Sequence, residues 1–451
     1  MKLKIQEKNY LYNNLKSFSI QIITILCVLE TALAEANFSI FVLYIILLLP
    51  GLILKEDKKV YYIVYNITVI LGILFYYSLL NYYGEPYFVG GSDDKYYELW
   101  SNDILQTHMW YNPVLIEQGG YLPIGHNSPL YVIILAGLRI FCDNIDSFHT
   151  IAPKILNASF LAMTSCLTLK IAQIYFGNKN SVVIAFSYGL YPIILSIACF
   201  SFRDTIVAFL FILVVFSMEK SRTNFSYILL SFIILCIVSY LLFYLRKLFV
   251  PLLIGLFFIR YYLKMRNNSL SIRSIIVLCI IMFSSLIFWN VSFDKITYLN
   301  DAYSTYRADN LSTGLGKILF RMPLFPFGII LRYFYLLIPF QIPVEFSSGF
   351  NFVGNIIQYF FVSFFLYGSF IIYKNNKPFR IYIIFTHLFL IMIAVTSFTW
   401  RHLTIIYPFF IMITVECLIQ LDRKIRNRII SFSTMFLLLL IATYTFLKLS
   451  L

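Results

Sequence analysis

The chain has 451 residues, 60% of them hydrophobic and only 12% charged, with a formal net charge of +14. That balance excludes a soluble globular domain, and apolar runs of roughly 17–25 residues recur from end to end, the length of a helix that crosses a bilayer. The short alternating segments of a β-barrel are not seen, and backbone groups in lipid must pair internally, so the runs are expected as helices.

Taken in chain order, the basic N-terminal tail (Lys2, Lys4, Lys8, Lys16) is expected on the cytoplasmic side, followed by an uncleaved first span. The basic connections "KEDKK" (55–59), "EKSR" (219–222), "KMRNNSLSIR" (264–273), "KNNKPFR" (374–380) and "DRKIRNR" (422–428) are placed on that side too. Concentration of Lys and Arg in short connections explains the net charge. No nucleic-acid motif accompanies it, so no nucleic acid is expected as a partner. Candidate spans are 18–36, 38–54, 60–80, 151–175, 181–200, 205–217, 227–245, 248–263, 275–291, 352–373, 381–397, 403–420 and 429–448, about 13 crossings in one integral domain covering 1–451. Alternation then puts two long segments on the outer face, 81–150 and 292–351. Within them, 129–142 and 321–343 are read as outer-face helices that do not cross. Six of the seven cysteines lie in apolar runs without CxxC or metal-ligand spacing.

Chemistry is expected on the outer face. The stretch "YFVGGSDDKYYELWSND" (87–103) gathers Asp93, Asp94, Glu98 and Asp103 after a Gly-Gly turn. If Ser92 caps a helix there, Asp93, Tyr97 and Trp100 share a face. Adjacent carboxylates raise one another's pKa, which suits a general base, and the pair could also hold a divalent metal, although no third ligand is evident. Cations stand against the positive-inside trend at "SFRDT" (Arg203, Asp204), "YLRKLF" (Arg246, Lys247) and "TWRHL" (Arg401, His402). Snorkelling to lipid headgroups would explain each alone. Three pairs on one face favour a shared anionic ligand, since guanidinium groups bind phosphate. His126, before the outer helix, is a candidate second wall of the site, whereas His387 in an apolar run is expected as a satisfied core residue. No nucleotide loop, GxSxG or HExxH occurs.

These features resemble GT-C-type integral membrane glycosyltransferases, in the branch of protein O-mannosyltransferases and lipid A aminoarabinose transferases. The resemblance rests on Asp93, Asp94 and Tyr97 in the first outer loop, on Pro129, Leu130 and Tyr131 opening the next helix, and on Phe176-Gly177 ending the following span. It is carried by residues 80–216. Asp94 stands where the family has Glu, Ser128 replaces a proline, and two spans rather than one precede the loop's span. The resemblance implies a GT-C-like bundle with outer-face juxtamembrane helices in the cytoplasmic membrane. It also implies a sugar donor on a polyprenyl phosphate, a glycan, lipid or protein acceptor, Asp93 as base, and inversion in one displacement. The competing readings are a surface-polysaccharide repeat-unit polymerase, with its chemistry on arginines and the 292–351 loop (Arg307, Lys317, Arg321), and a flippase of lipid-linked sugars. A flippase would show internal symmetry and mid-membrane charges, which the sequence lacks.

Overall fold

The computed structural model describes residues 19–54, 57–88, 93–107, 111–118, 128–142, 151–221, 225–265, 322, 327–338, 345–395 and 400–450. The expected span 275–291, the residues Gly90, Gly91 and Ser92, His126, and Arg307, Lys317 and Arg321 lie outside them. The described residues are helical, with no strand among them. The helices are α1 (Ser19–Ala34), α2 (Ser39–Ile46), α3 (Pro50–Ile53), α4 (Lys58–Tyr83), α5 (Asp93–Leu105), α6 (Pro113–Gln118), α7 (Pro129–Phe141), α8 (Ile151–Phe176) and α9 (Asn178–Gly189). They continue as α10 (Pro192–Ala198), α11 (Asp204–Lys220), α12 (Phe225–Arg246), α13 (Phe249–Met265), α14 (Ile329–Leu337), α15 (Phe346–Asn375), α16 (Arg380–Val395), α17 (Tyr407–Gln420) and α18 (Arg423–Ser450).

Five described helices are long and apolar enough to cross a bilayer: α4, α8, α12, α15, and α16 with the turn before it. The pair α9 and α10, bent by 51° at a short break, makes a sixth if counted as one span. Such helices point to a multi-pass membrane protein. Proline opens α3, α6, α7 and α10, where its missing N–H costs nothing. Glycine closes two of the long helices, Gly84 after α4 (φ 75°) and Gly177 after α8 (φ 81°), in the left-handed conformation that a Cβ disfavours. At 13 residues α7 is about 20 Å long, short of the ~30 Å hydrocarbon layer.

The fold divides into two compact units. The first holds Met1–Ile174, Ser181–Phe249 and Ile342–Asn351. Within it α4 and α8 run antiparallel. Asp57, ahead of α4, meets Lys170 near the end of α8 at 3.0 Å, while Gly72 lies against Lys154 near its start. Between them the Tyr61 hydroxyl and Ser159 Oγ are 2.9 Å apart. Helices α11 and α12 form a hairpin, with Ser231 Oγ donating to the Ser217 carbonyl at 2.9 Å.

The second unit holds Tyr175–Asn180, Val250–Gln341 and Phe352–Leu451. Its helices also join through small polar groups: Tyr359 donates to the Ser433 carbonyl and Ser433 to Ser363. His387 sits between Tyr333 (2.7 Å) and Ser369 (3.0 Å), a half-buried imidazole with both nitrogens engaged, satisfied as expected.

Candidate functional site

The acidic stretch forms α5, two residues of which begin as Asp93 and Asp94 in the first turn, where the helix dipole favours negative charge. Its inward stripe is Asp94, Tyr97, Glu98, Ser101 and Ile104, all buried at helical spacing. Asp93 is exposed one step outside this stripe. The structure therefore separates the two aspartates: Tyr97 flanks both, but only Asp94 is buried with it.

Asp94 ties the incoming chain to the helix. Its carboxylate accepts the backbone N–H of Phe88 at 2.8 Å and of Lys95 at 3.1 Å. Burial pushes its pKa up from 3.8 to about 6, against those hydrogen bonds and the nearby Lys154 charge. One turn on, Glu98 accepts from the Tyr87 hydroxyl at 3.0 Å and from Ser201 Oγ at 3.2 Å. Burial lifts it further, to about 8. Arg139 of α7 packs under the same turn, its Nε donating to Ser101 Oγ (2.8 Å) and its Nη2 to the Glu98 carbonyl (3.0 Å).

Helix α8 supplies the floor. Lys154, 2% exposed, donates to the Cys199 carbonyl at 2.7 Å and lies 5.2 Å from the Phe200 ring centre. Asn157 donates to the carbonyls of Phe200 (2.7 Å) and Phe202 (3.0 Å) and accepts from Thr205 at 2.8 Å. The end of α10 leaves these carbonyls without helical partners, and α8 satisfies them. The clamped rings of Phe200 and Phe202 pack on Phe88, the residue whose N–H caps Asp94. Next in the chain, the Arg203 guanidinium lies 5.7 Å from the Tyr97 ring centre, and Tyr97 meets Tyr131 edge to face.

Asp204 and Arg246 form a buried ion pair at 2.6 Å. The sequence alone offered Arg246 to a ligand phosphate; in the structure its Nη1 goes to Asp204, because burial of either charge demands the other. Lys247, half-buried, stands 5.1 Å from the Phe243 ring centre. Arg401 and His402 lie half-buried in the 3-10 turn Trp400–Ile405, in the second unit. The structure thus brings Asp93, Asp94, Tyr97, Arg203, Asp204 and Arg246 to one end of the first unit. Among the described residues, no three His, Cys, Asp or Glu side chains come together to hold a metal ion.

Sequence reasoning named Glu98 in the acidic stretch but gave it no role, and it missed Arg139, Lys154 and Asn157 as members of this cluster. The i, i+4 spacing of Glu98 to Asp94 was the available signal. Lys154 and Asn157 carried a weaker signal, polar groups three apart near the start of an otherwise apolar run. No protein-family model matches the chain, and no curated protein matches it.

Proposed function

We propose that the chain is a membrane glycosyltransferase of the GT-C type. On this reading it is a bundle of about 13 crossings in the cytoplasmic membrane with a cytoplasmic N-terminus. It moves a sugar from a polyprenyl-phosphate donor to a glycan, lipid or protein acceptor at the outer face. The observation that carries the reading is the division of labour on α5. Asp93 is exposed at the helix start, while Asp94 and Glu98 fix the helix from beneath beside Arg203.

In this mechanism the Asp93 carboxylate takes the proton of the acceptor hydroxyl. The oxygen forms a bond to the anomeric carbon as the bond from that carbon to the phosphate oxygen breaks. The electron pair leaves with the lipid phosphate, and the sugar inverts. Arg203 and Lys247 are the cations at this end that would stabilise the leaving phosphate, while Arg246 holds the Asp204 turn that presents Arg203. Positioning and charge stabilisation supply most of the rate.

The test compares surface glycans and lipid-linked intermediates by mass spectrometry in cells carrying the wild type, Asp93→Asn or Asp94→Asn. Loss of the base typically lowers rate ~10²–10⁴-fold, so Asp93→Asn is expected to abolish detectable transfer while the protein still inserts. Asp94→Asn keeps an acceptor for the Phe88 N–H and should lose less. Full activity in Asp93→Asn with a dead Asp94→Asn reverses the assignment. Full activity in both removes the mechanism and leaves the polymerase reading ahead.

A further inference from the structure

Glu416 is a buried carboxylate, 3% exposed, in the last turn of α17. That is the negative end of the helix dipole, where a carboxylate is disfavoured. Its partners are neutral amides: Asn180 Nδ2 at 3.1 Å and 3.3 Å from the two oxygens, and Gln420 Nε2 at 2.7 Å. No lysine, arginine or histidine among the described residues lies within ion-pair distance, in a chain with 35 lysines and arginines. The nearby Arg260 donates instead to the Tyr175 hydroxyl at 2.9 Å. A buried carboxylate without a counter-charge is costly.

Glu416 also lines a cavity of about 320 Å³, within the range of small-molecule sites. Its other walls are Tyr175, Phe176, Asn375, Asn376 and Pro378, with the exposed Lys374 and Lys377 flanking the rim in sequence. Aromatic rings beside a carboxylate are the chemistry that holds an ammonium group, through cation–π contact and charge pairing. A sugar would meet the amides but would leave the charge uncompensated.

We propose that this cavity in the second unit binds a primary ammonium group, with Glu416 as its counter-ion. The group could belong to an ethanolamine lipid headgroup, with its phosphate toward the rim lysines, or to a free amine. The site is independent of the glycosyltransferase reading.

The full chain would be purified into nanodiscs of phosphatidylcholine alone or mixed with phosphatidylethanolamine, and retained lipid read by native mass spectrometry. Ethanolamine would be titrated into the phosphatidylcholine discs while thermal stability is followed. The wild type is expected to retain phosphatidylethanolamine over phosphatidylcholine roughly tenfold, a typical scale for one desolvated charge pair. Glu416→Gln should abolish the preference. Asn375→Trp, which narrows the mouth from an exposed position, should do so without touching the buried network. A free-amine site would instead show stabilisation by ethanolamine in the wild type, absent in both variants, with no lipid preference. Neither effect in the wild type, or the same effect in both variants, overturns the proposal.

Discussion

Asp204 and Arg246 illustrate how single residues divide between chemistry and support. Their side chains are 5% and 9% exposed, and each neutralises the other. Arg246→Met should cost about 3–5 kcal/mol, because it leaves Asp204 buried and uncompensated. Adding Asp204→Leu should recover much of the loss, read as the midpoint of thermal unfolding in detergent. Glu98 makes a second residue-level prediction. Its folded pKa is raised to about 8 from 4.5, so its contribution is fully present below about pH 4.5 and lost as pH rises through about 8. Wild-type stability should therefore fall across that window, and Glu98→Gln, which cannot titrate, should flatten the fall. An unchanged slope in Glu98→Gln would place the titrating group elsewhere.

At the scale of elements, close approach is set by what a glycine omits. A Cβ on Gly189 would fall 2.4 Å from Val64 Cγ2 and 2.5 Å from Ser165 Oγ, so Gly189→Ala should cost about 1–3 kcal/mol. Gly137 on α7 meets nothing within 4 Å, and Gly137→Ala should be neutral or stabilise by up to about 1 kcal/mol. Parallel thermal melts of the two variants test the contrast. Much of this level was legible in the sequence. The length of apolar runs marked the long helices, and Pro129 marked the start of α7. The partners were not legible. Which aspartate faces inward depends on where the helix starts and on what packs beneath it, and α7 and the 199–203 turn come from distant parts of the chain. The same holds for Arg246: its charge shows in the sequence, but its pairing with Asp204 needs the α11–α12 hairpin.

At the scale of the molecule, the first unit has two chemically different ends. One carries the Asp57–Lys170 pair, the other α5, α7, the 199–204 turn and Arg246. If the proposed orientation holds, cysteines introduced at the exposed positions Tyr96 and Ile140 should both react with an impermeant reagent from outside intact cells, and one at Lys59 should not. Labelling of only one of the first two would mean that the chain between them crosses. The floor of the cluster has a further consequence, for biosynthesis. Lys154 and Asn157 leave the ribosome more than forty residues ahead of the carbonyls they serve, as Cys199 and Phe202 lie 45 positions further on. Until then the ammonium and the amide at the head of α8 lack the carbonyls that hold them in the finished unit. A nascent chain stopped between Phe176 and Ala198 thus carries two donors whose final acceptors have not yet been made. Synthesis past residue 202 supplies those acceptors together, which makes that point a natural commitment step in assembly of the first unit.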